Sequence, residues 1–142
     1  VKMTPALSWF DLDLFARLVF SESKGEIYQG QVAVAATVLN RVLDKDYPNT
    51  ISGVINQVTV QNGISYYQYE PVKNGTINQS ANQTAKRAAR NALTGWDPTM
   101  GATGFFAHAK VPQWSNGKRP WVWEKWDNDP YKIRIGNHSF FR

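Results

Sequence analysis

Four carboxylates stand where they could do chemistry: Glu22, Glu26, Glu70 and Asp97. Glu22 is the most suggestive. Phe15, Leu18 and Val19 fall at the spacing that lines one face of a helix, and Glu22 continues that apolar line. Gly25 reads as the helix stop, which puts the acid in the last turn. Partial burial and the negative end of the helix dipole both disfavour an ionised carboxyl there. An acid kept protonated near neutral pH can protonate a departing sugar oxygen. A helix-end acid that simply reaches water is the plainer account. Glycoside cleavage usually adds a second carboxylate. Glu26, Glu70 and Asp97 all fall on predicted loops or turns, and no spacing singles one out. A muramic-acid substrate removes that need. Its own C6 hydroxyl can close a 1,6-anhydro ring, with one glutamate serving as acid and then as base.

Other chemistries find less support. The two histidines, His108 and His138, stand thirty residues apart with no HExxH spacing. A zinc site would need both plus a carboxylate. There are no cysteines, which removes disulfides, thiolate catalysis and cysteine zinc sites. No serine elbow, P-loop or dinucleotide fingerprint is present. No metal or organic cofactor is expected.

The formal net charge is +5, unevenly spread. Residues 1–100 hold nine Lys/Arg against eight Asp/Glu; residues 101–142 hold seven against three. A basic C-terminal third points to an anionic partner, whether nucleic acid, a membrane surface or an acidic cell-wall polymer, with ordinary solubility as the rival account. Lys/Arg never run beyond pairs, so nucleic acid is not the expected partner. Six Trp, six Tyr and seven Phe cluster in segments such as Tyr66-Tyr67-Gln68-Tyr69 and Trp121-Val122-Trp123-Glu124-Lys125-Trp126. Flat rings with a polar tip suit sugar faces, and they also suit core packing. No stretch approaches the roughly 18 to 20 apolar residues of a membrane span. Val1 to Phe10 lacks the pattern of a leader peptide. A chain of 142 residues is about one domain, read here as a single unit over 1–142.

The elements that must position these groups follow from periodicity. A helix is predicted from Asp11 to about Glu22, with Asp11 or Asp13 near its start, and a second from Gly30 to Leu43. The second is apolar nearly all round and so belongs in the middle of the fold. Thr37 and Asn40 give it a polar-edged face that either lines a cleft against Glu22 or bonds a loop. Thr50 can cap a short helix to about Gln57, and residues 58–79 read as a long loop. A third helix runs from Ser80 or Asn82 to Gly95. Gly104 to His108 is strand-like, and residues 121–126 are ambiguous. Tyr131 to Ile135 and His138 to Phe141 flank Gly136-Asn137, the pattern of a hairpin with a type II′ turn. The fold class is α+β, mainly α, with a small C-terminal hairpin.

Several of these segments resemble the SleB/CwlJ family of cell-wall hydrolases, the spore cortex-lytic type of enzyme also found in phage lysins. Leu18 to Glu26 resembles the family's acid-bearing helix end. Gly30-Gln-Val-Ala-Val-Ala-Ala36-Thr-Val-Leu39-Asn-Arg-Val42 resembles its central helix. Tyr47 to Ile55, Gln68-Tyr69 with Gly75, Thr84 to Thr99, Phe105-Phe106 and Gly136 to Phe141 complete the pattern. The resemblance covers most of residues 14–141. It implies a lysozyme-like fold and lytic transglycosylase activity on peptidoglycan glycan strands, with the catalytic glutamate carried onto Glu22. It also implies substrate contacts near Gln68, Tyr69 and Phe106. Glu26, Thr37, Glu70 and His108 complete the expected substrate-binding set. Departures are Ser21 where the family usually has Gly, and Ala107-His108 where it often has Asn. The Trp- and Lys-rich segment 110–130 is an elaboration. The expected setting is the cell wall, as a monomer, in spore cortex or delivered by phage. The rival readings are a water-using muramidase with Glu70 or Asp97, an amidase needing both histidines, and a non-catalytic wall-binding module.

Overall fold

Helix α1 (Trp9–Ser23) starts in a capping box: the Ser8 hydroxyl accepts from the Asp11 amide at 3.1 Å, and the Asp11 carboxylate accepts from the Ser8 amide. The computed structural model describes residues 7–142, so the first six positions of the leader reading over Val1 to Phe10 lie outside the described residues. Phe15, Leu18 and Val19 are fully buried, as their spacing predicts. The helix ends at Ser23 with Lys24 as its cap. Gly25 does not take the left-handed conformation expected of a glycine stop. The chain turns instead through the Glu26 amide, which donates to the Ser23 carbonyl.

Helix α2 (Tyr28–Leu43) is buried at every position from Gly30 to Val38 and forms the centre of the main core. Helix α3 (Ile51–Ile55) is capped by Thr50, whose hydroxyl accepts from the Gly53 amide at 2.9 Å. The predicted loop over 58–79 is largely ordered structure. Strands β1 (Val58–Gln61) and β2 (Ile64–Tyr67) pair antiparallel across Asn62-Gly63, both at positive φ (53° and 76°), the signature of a type I′ turn. Helix α4 (Glu70–Asn74) and a 3-10 turn (Thr76–Asn78) follow. Helix α5 (Gln83–Leu93) lays Ala85, Ala88, Ala89 and Ala92 against α1 and α2, and these small side chains permit close approach.

The C-terminal third builds the sheet. Strands β3 (Gly104–Ala107), β4 (Ile133–Ile135) and β5 (His138–Phe141) are antiparallel in the order β3-β5-β4. The ambiguous segment is a helix, α6 (Trp121–Asn128). In the β4–β5 turn Gly136 has φ +59° while Asn137 stays outside the positive-φ region, as a type II′ turn requires. Strand alternation divides the aromatic residues. Phe105 and Phe140 pack on the main core, while Phe106 and Phe141 join Trp123 in a second cluster on the other side. Among the described residues no helix is long and apolar enough to cross a membrane.

One long-range tie joins the two ends of the fold. Glu26, just past α1, accepts from the Asn137 amide at 2.9 Å and from the Asn137 side chain at 3.0 Å. A Cβ at position 136 would lie 2.7 Å from Glu26 Oε1, so both the φ and the space require glycine. Burial alone would raise the Glu26 pKa. The Asn137 bonds and the nearby His138 outweigh that and hold it below the usual range. Stability from this group is therefore present above its unfolded pKa and fades as pH falls through the lower folded value. Glu26→Ala should cost about 2 kcal/mol in a urea titration at pH 7, less at pH 3, because the Asn137 amide and side chain lose their ionised acceptor.

Candidate active site

The last turn of α1 places Glu22 half-buried, beside groups from α2, the β2–α4 junction and α4. Burial is the largest influence on its carboxyl. The Arg41 guanidinium opposes it and the Glu70 carboxylate adds to it, leaving the Glu22 pKa pushed up to about 7. No hydrogen bond contributes to that balance. The acid expected from residue spacing is thus present, and the structure names its neighbours.

Arg41 organises the surroundings, although spacing alone did not mark it out. Its Nε donates to the Thr103 carbonyl and its Nη1 to Gln68 Oε1 at 3.3 Å. Its guanidinium lies over the rings of Tyr47 and Tyr69, at 5.0 and 5.4 Å. Tyr69 is 3% exposed, and its hydroxyl is a buried polar atom with no partner. Burial pushes that phenol up, with Arg41 opposing and Glu22 adding. Gln68 and Glu70 are exposed on the flank of the site. Glu22, Gln68, Tyr69 and Glu70 are therefore brought together around Arg41. A signal for Arg41 did exist: an arginine closing an otherwise apolar helix needs acceptors near it.

Other expected site residues are placed elsewhere. Thr37 is 0% exposed, and its hydroxyl donates to the Val34 carbonyl of its own helix at 2.7 Å, so it faces no cleft. Its neighbour Asn40 donates to Asp97 and to the Ala102 carbonyl, both at 2.8 Å, the loop-bonding alternative. Phe106 is 6% exposed and sealed against Trp123, which makes it packing and not a sugar contact. Glu26 is committed to the Asn137 turn, as described above. His108 Nδ1 lies 3.0 Å from Ser139 Oγ on β5 and does not contribute to the balance at Glu22. Asp97 accepts from Asn40, from the Thr99 amide and hydroxyl, and from the Gly101 amide. Burial pushes its pKa up, but these bonds win and hold it low, so it organises a loop and is not a second catalytic acid.

Three surface concavities are found away from Glu22. They lie between the C-terminal parts of α2 and α5, between α1 and α5, and beside α6 at Lys125, Tyr131 and Arg142. None of the three is lined by Glu22. Among the described residues no group of three or more His, Cys, Asp or Glu side chains could hold a metal ion.

An acid held near neutrality at a helix end has the proton that cleavage of a glycosidic bond requires. The sequence profile of the cell wall hydrolase family matches residues 25–141, and the chain belongs to that family. It is 40% identical over 130 residues to a spore cortex-lytic enzyme of Bacillus cereus, covering 92% of this chain and 43% of that protein. The corresponding protein of Bacillus subtilis (strain 168) is 35% identical, with 92% and 37% covered. The chain thus spans less than half the length of these curated relatives. A solved structure, the catalytic domain of the germination-specific lytic transglycosylase SleB from Bacillus anthracis, superposes with a TM-score of 0.78 at 36% identity. That likeness covers 99% of this chain and all of the other.

The raised pKa of Glu22 has a sign for stability. Below about pH 4.5 both folded and unfolded states are protonated and the folded state bears no penalty. As pH rises toward 7 the unfolded state gives up its proton first, and above that the folded state must bury a charge. Glu22→Gln should therefore melt near wild type at pH 5 and stand more stable by on the order of 2 kcal/mol at pH 8.5, read by thermal scans at both pH values.

Proposed function

We propose that this protein cleaves the β-1,4 bond between N-acetylmuramic acid and N-acetylglucosamine in peptidoglycan, as a lytic transglycosylase. The observation that carries this reading is a Glu22 carboxyl drawn largely out of water in the last turn of α1, where burial pushes its pKa up to about 7. Glu22 gives that proton to the glycosidic oxygen as the C1–O bond breaks. The muramic C6 oxygen then bonds to C1, and its proton passes to the Glu22 carboxylate, which restores the acid. Positive charge develops at the anomeric carbon in between, and the exposed Glu70 carboxylate, within electrostatic reach of Glu22, would favour it. Family membership, the spore cortex-lytic names of its relatives and the SleB domain likeness all support the same chemistry. The cell wall is the setting, with the spore cortex as its particular form, and the protein works as a monomer on glycan strands.

A water-using muramidase remains the second reading, because Glu70 lies within electrostatic reach of Glu22. Asp97 no longer serves it. An amidase fits less well, since His108 is bonded to Ser139 and His138 is buried against Glu26.

Two measurements decide. Mass spectrometry of a wall digest should show anhydro-muramic ends, lighter by one water than hydrolysed ends and not reducible by borohydride. Glu22→Gln should fold normally and lose at least 100-fold in rate; retention of wild-type turnover would end the proposal. The rate should also fall as pH rises through about 7, because the acid must be protonated to start the reaction. Arg41 favours the charged form, so Arg41→Gln should move that alkaline limb to higher pH.

A further inference from the structure

The face built on α6 carries a feature that glycan cleavage at Glu22 leaves unused. Residues 110–142 hold seven Lys/Arg against three Asp/Glu. Cations and aromatic rings alternate through this region. Arg119 lies between Trp114 and Trp123, at 5.4 and 4.8 Å from their ring centres. Arg134 lies between Trp123 and Trp126, at 5.9 and 5.1 Å, and Lys132 sits over Trp126 at 5.4 Å. Arg142 covers Tyr131 at 4.5 Å.

The acids nearby are mostly spent. Asp127 takes both bonds of its pair with Arg119, at 2.9 Å each. Asp129 is buried and accepts from the Tyr131 and Arg142 amides. Lys118, Lys125, Lys132, Arg134 and Arg142 remain exposed, as do Trp114 (63%) and Trp121 (68%). Gathering like charges on one lobe carries a repulsive cost unless an anion offsets it. Ring stacking and bonds to Asp127, Gln113 O, Ser139 and Met100 O hold the three guanidinium groups in order and leave the exposed Lys118, Lys125 and Lys132 as the readiest contacts for an oxyanion. Single small anions occupy one or two cations; a row of them matches a ligand that repeats its charge. Arginine forks and lysine point charges both suit phosphate oxygens.

We propose that the α6 face binds a linear phosphodiester polymer and so holds the protein on a wall that carries one. This rests on the cell wall being the working surface proposed above, but not on the chemistry at Glu22.

Co-sedimentation with intact walls, with walls freed of phosphate polymer by hydrofluoric acid, and competition by soluble poly(glycerol phosphate) test it. Wild type should bind intact walls at least tenfold more tightly than stripped ones, and the soluble polymer should release it. The double variant Lys125→Glu/Lys132→Glu should lose at least tenfold on intact walls, with a log–log salt slope shallower by roughly two. It should digest stripped walls at the wild-type rate. Lys118→Glu, outside α6, should show a smaller loss and serves if the double variant does not fold. Equal retention on stripped walls, unchanged retention of both variants, or equal affinity for duplex DNA would overturn the inference. The appearance of anhydro ends from stripped walls reports separately on cleavage, so failure of either idea is read apart from the other.

Discussion

A carboxyl group largely taken out of water without a hydrogen bond has only its proton to relieve the cost, and the chemistry proposed for this protein depends on that constraint at Glu22. The same burial pattern that seats Phe15, Leu18 and Val19 in the core carries the acid one turn further along α1. Desolvation alone would push it higher. Arg41 pulls it back, and Arg41 is itself held by the Thr103 carbonyl, Gln68 and two tyrosine rings. Three separate stretches of chain thus fix one cation, and its position sets how readily the acid lets go. A freely moving lysine there would hold no such balance.

Much of this was legible in the sequence because helices announce themselves by period. α1, α2 and α5 follow their apolar lines, and the acid sits where the first line runs out. The β4–β5 hairpin was readable from Gly136-Asn137 between extended runs. The β1–β2 hairpin carried an equally good cue in Asn62-Gly63, hidden by the polar composition around it. Thr37 shows the limit of a helical wheel: the wheel gives a side chain's direction but not what lies there, and what lies there is core. Phe105 and Phe106 show the limit for strands. Neighbouring residues must point to opposite faces, yet nothing local says which face meets a ligand and which meets packing. Arg41 escaped notice because a cation at a helix end is read by habit as solvated.

The sheet divides the molecule's labour. Its one face closes the helical core through Phe105 and Phe140; its other carries Phe106, Phe141 and the α6 lobe. Segment 110–130 packs on the outer face through Val111, Val122, Trp123 and Trp126, and Glu22 lies with the helices that pack on the inner one. None of the groups that set the Glu22 carboxyl comes from that lobe.

The bond between Glu26 and Asn137 spans 111 residues. During synthesis the helix bearing the acid leaves the ribosome well before the turn that grips its far end. Closure of the sheet onto the α1–α2 bend must await the segment that holds Asn137. A nascent chain can hold these helices and the acid for some time before the strands that close the sheet are made.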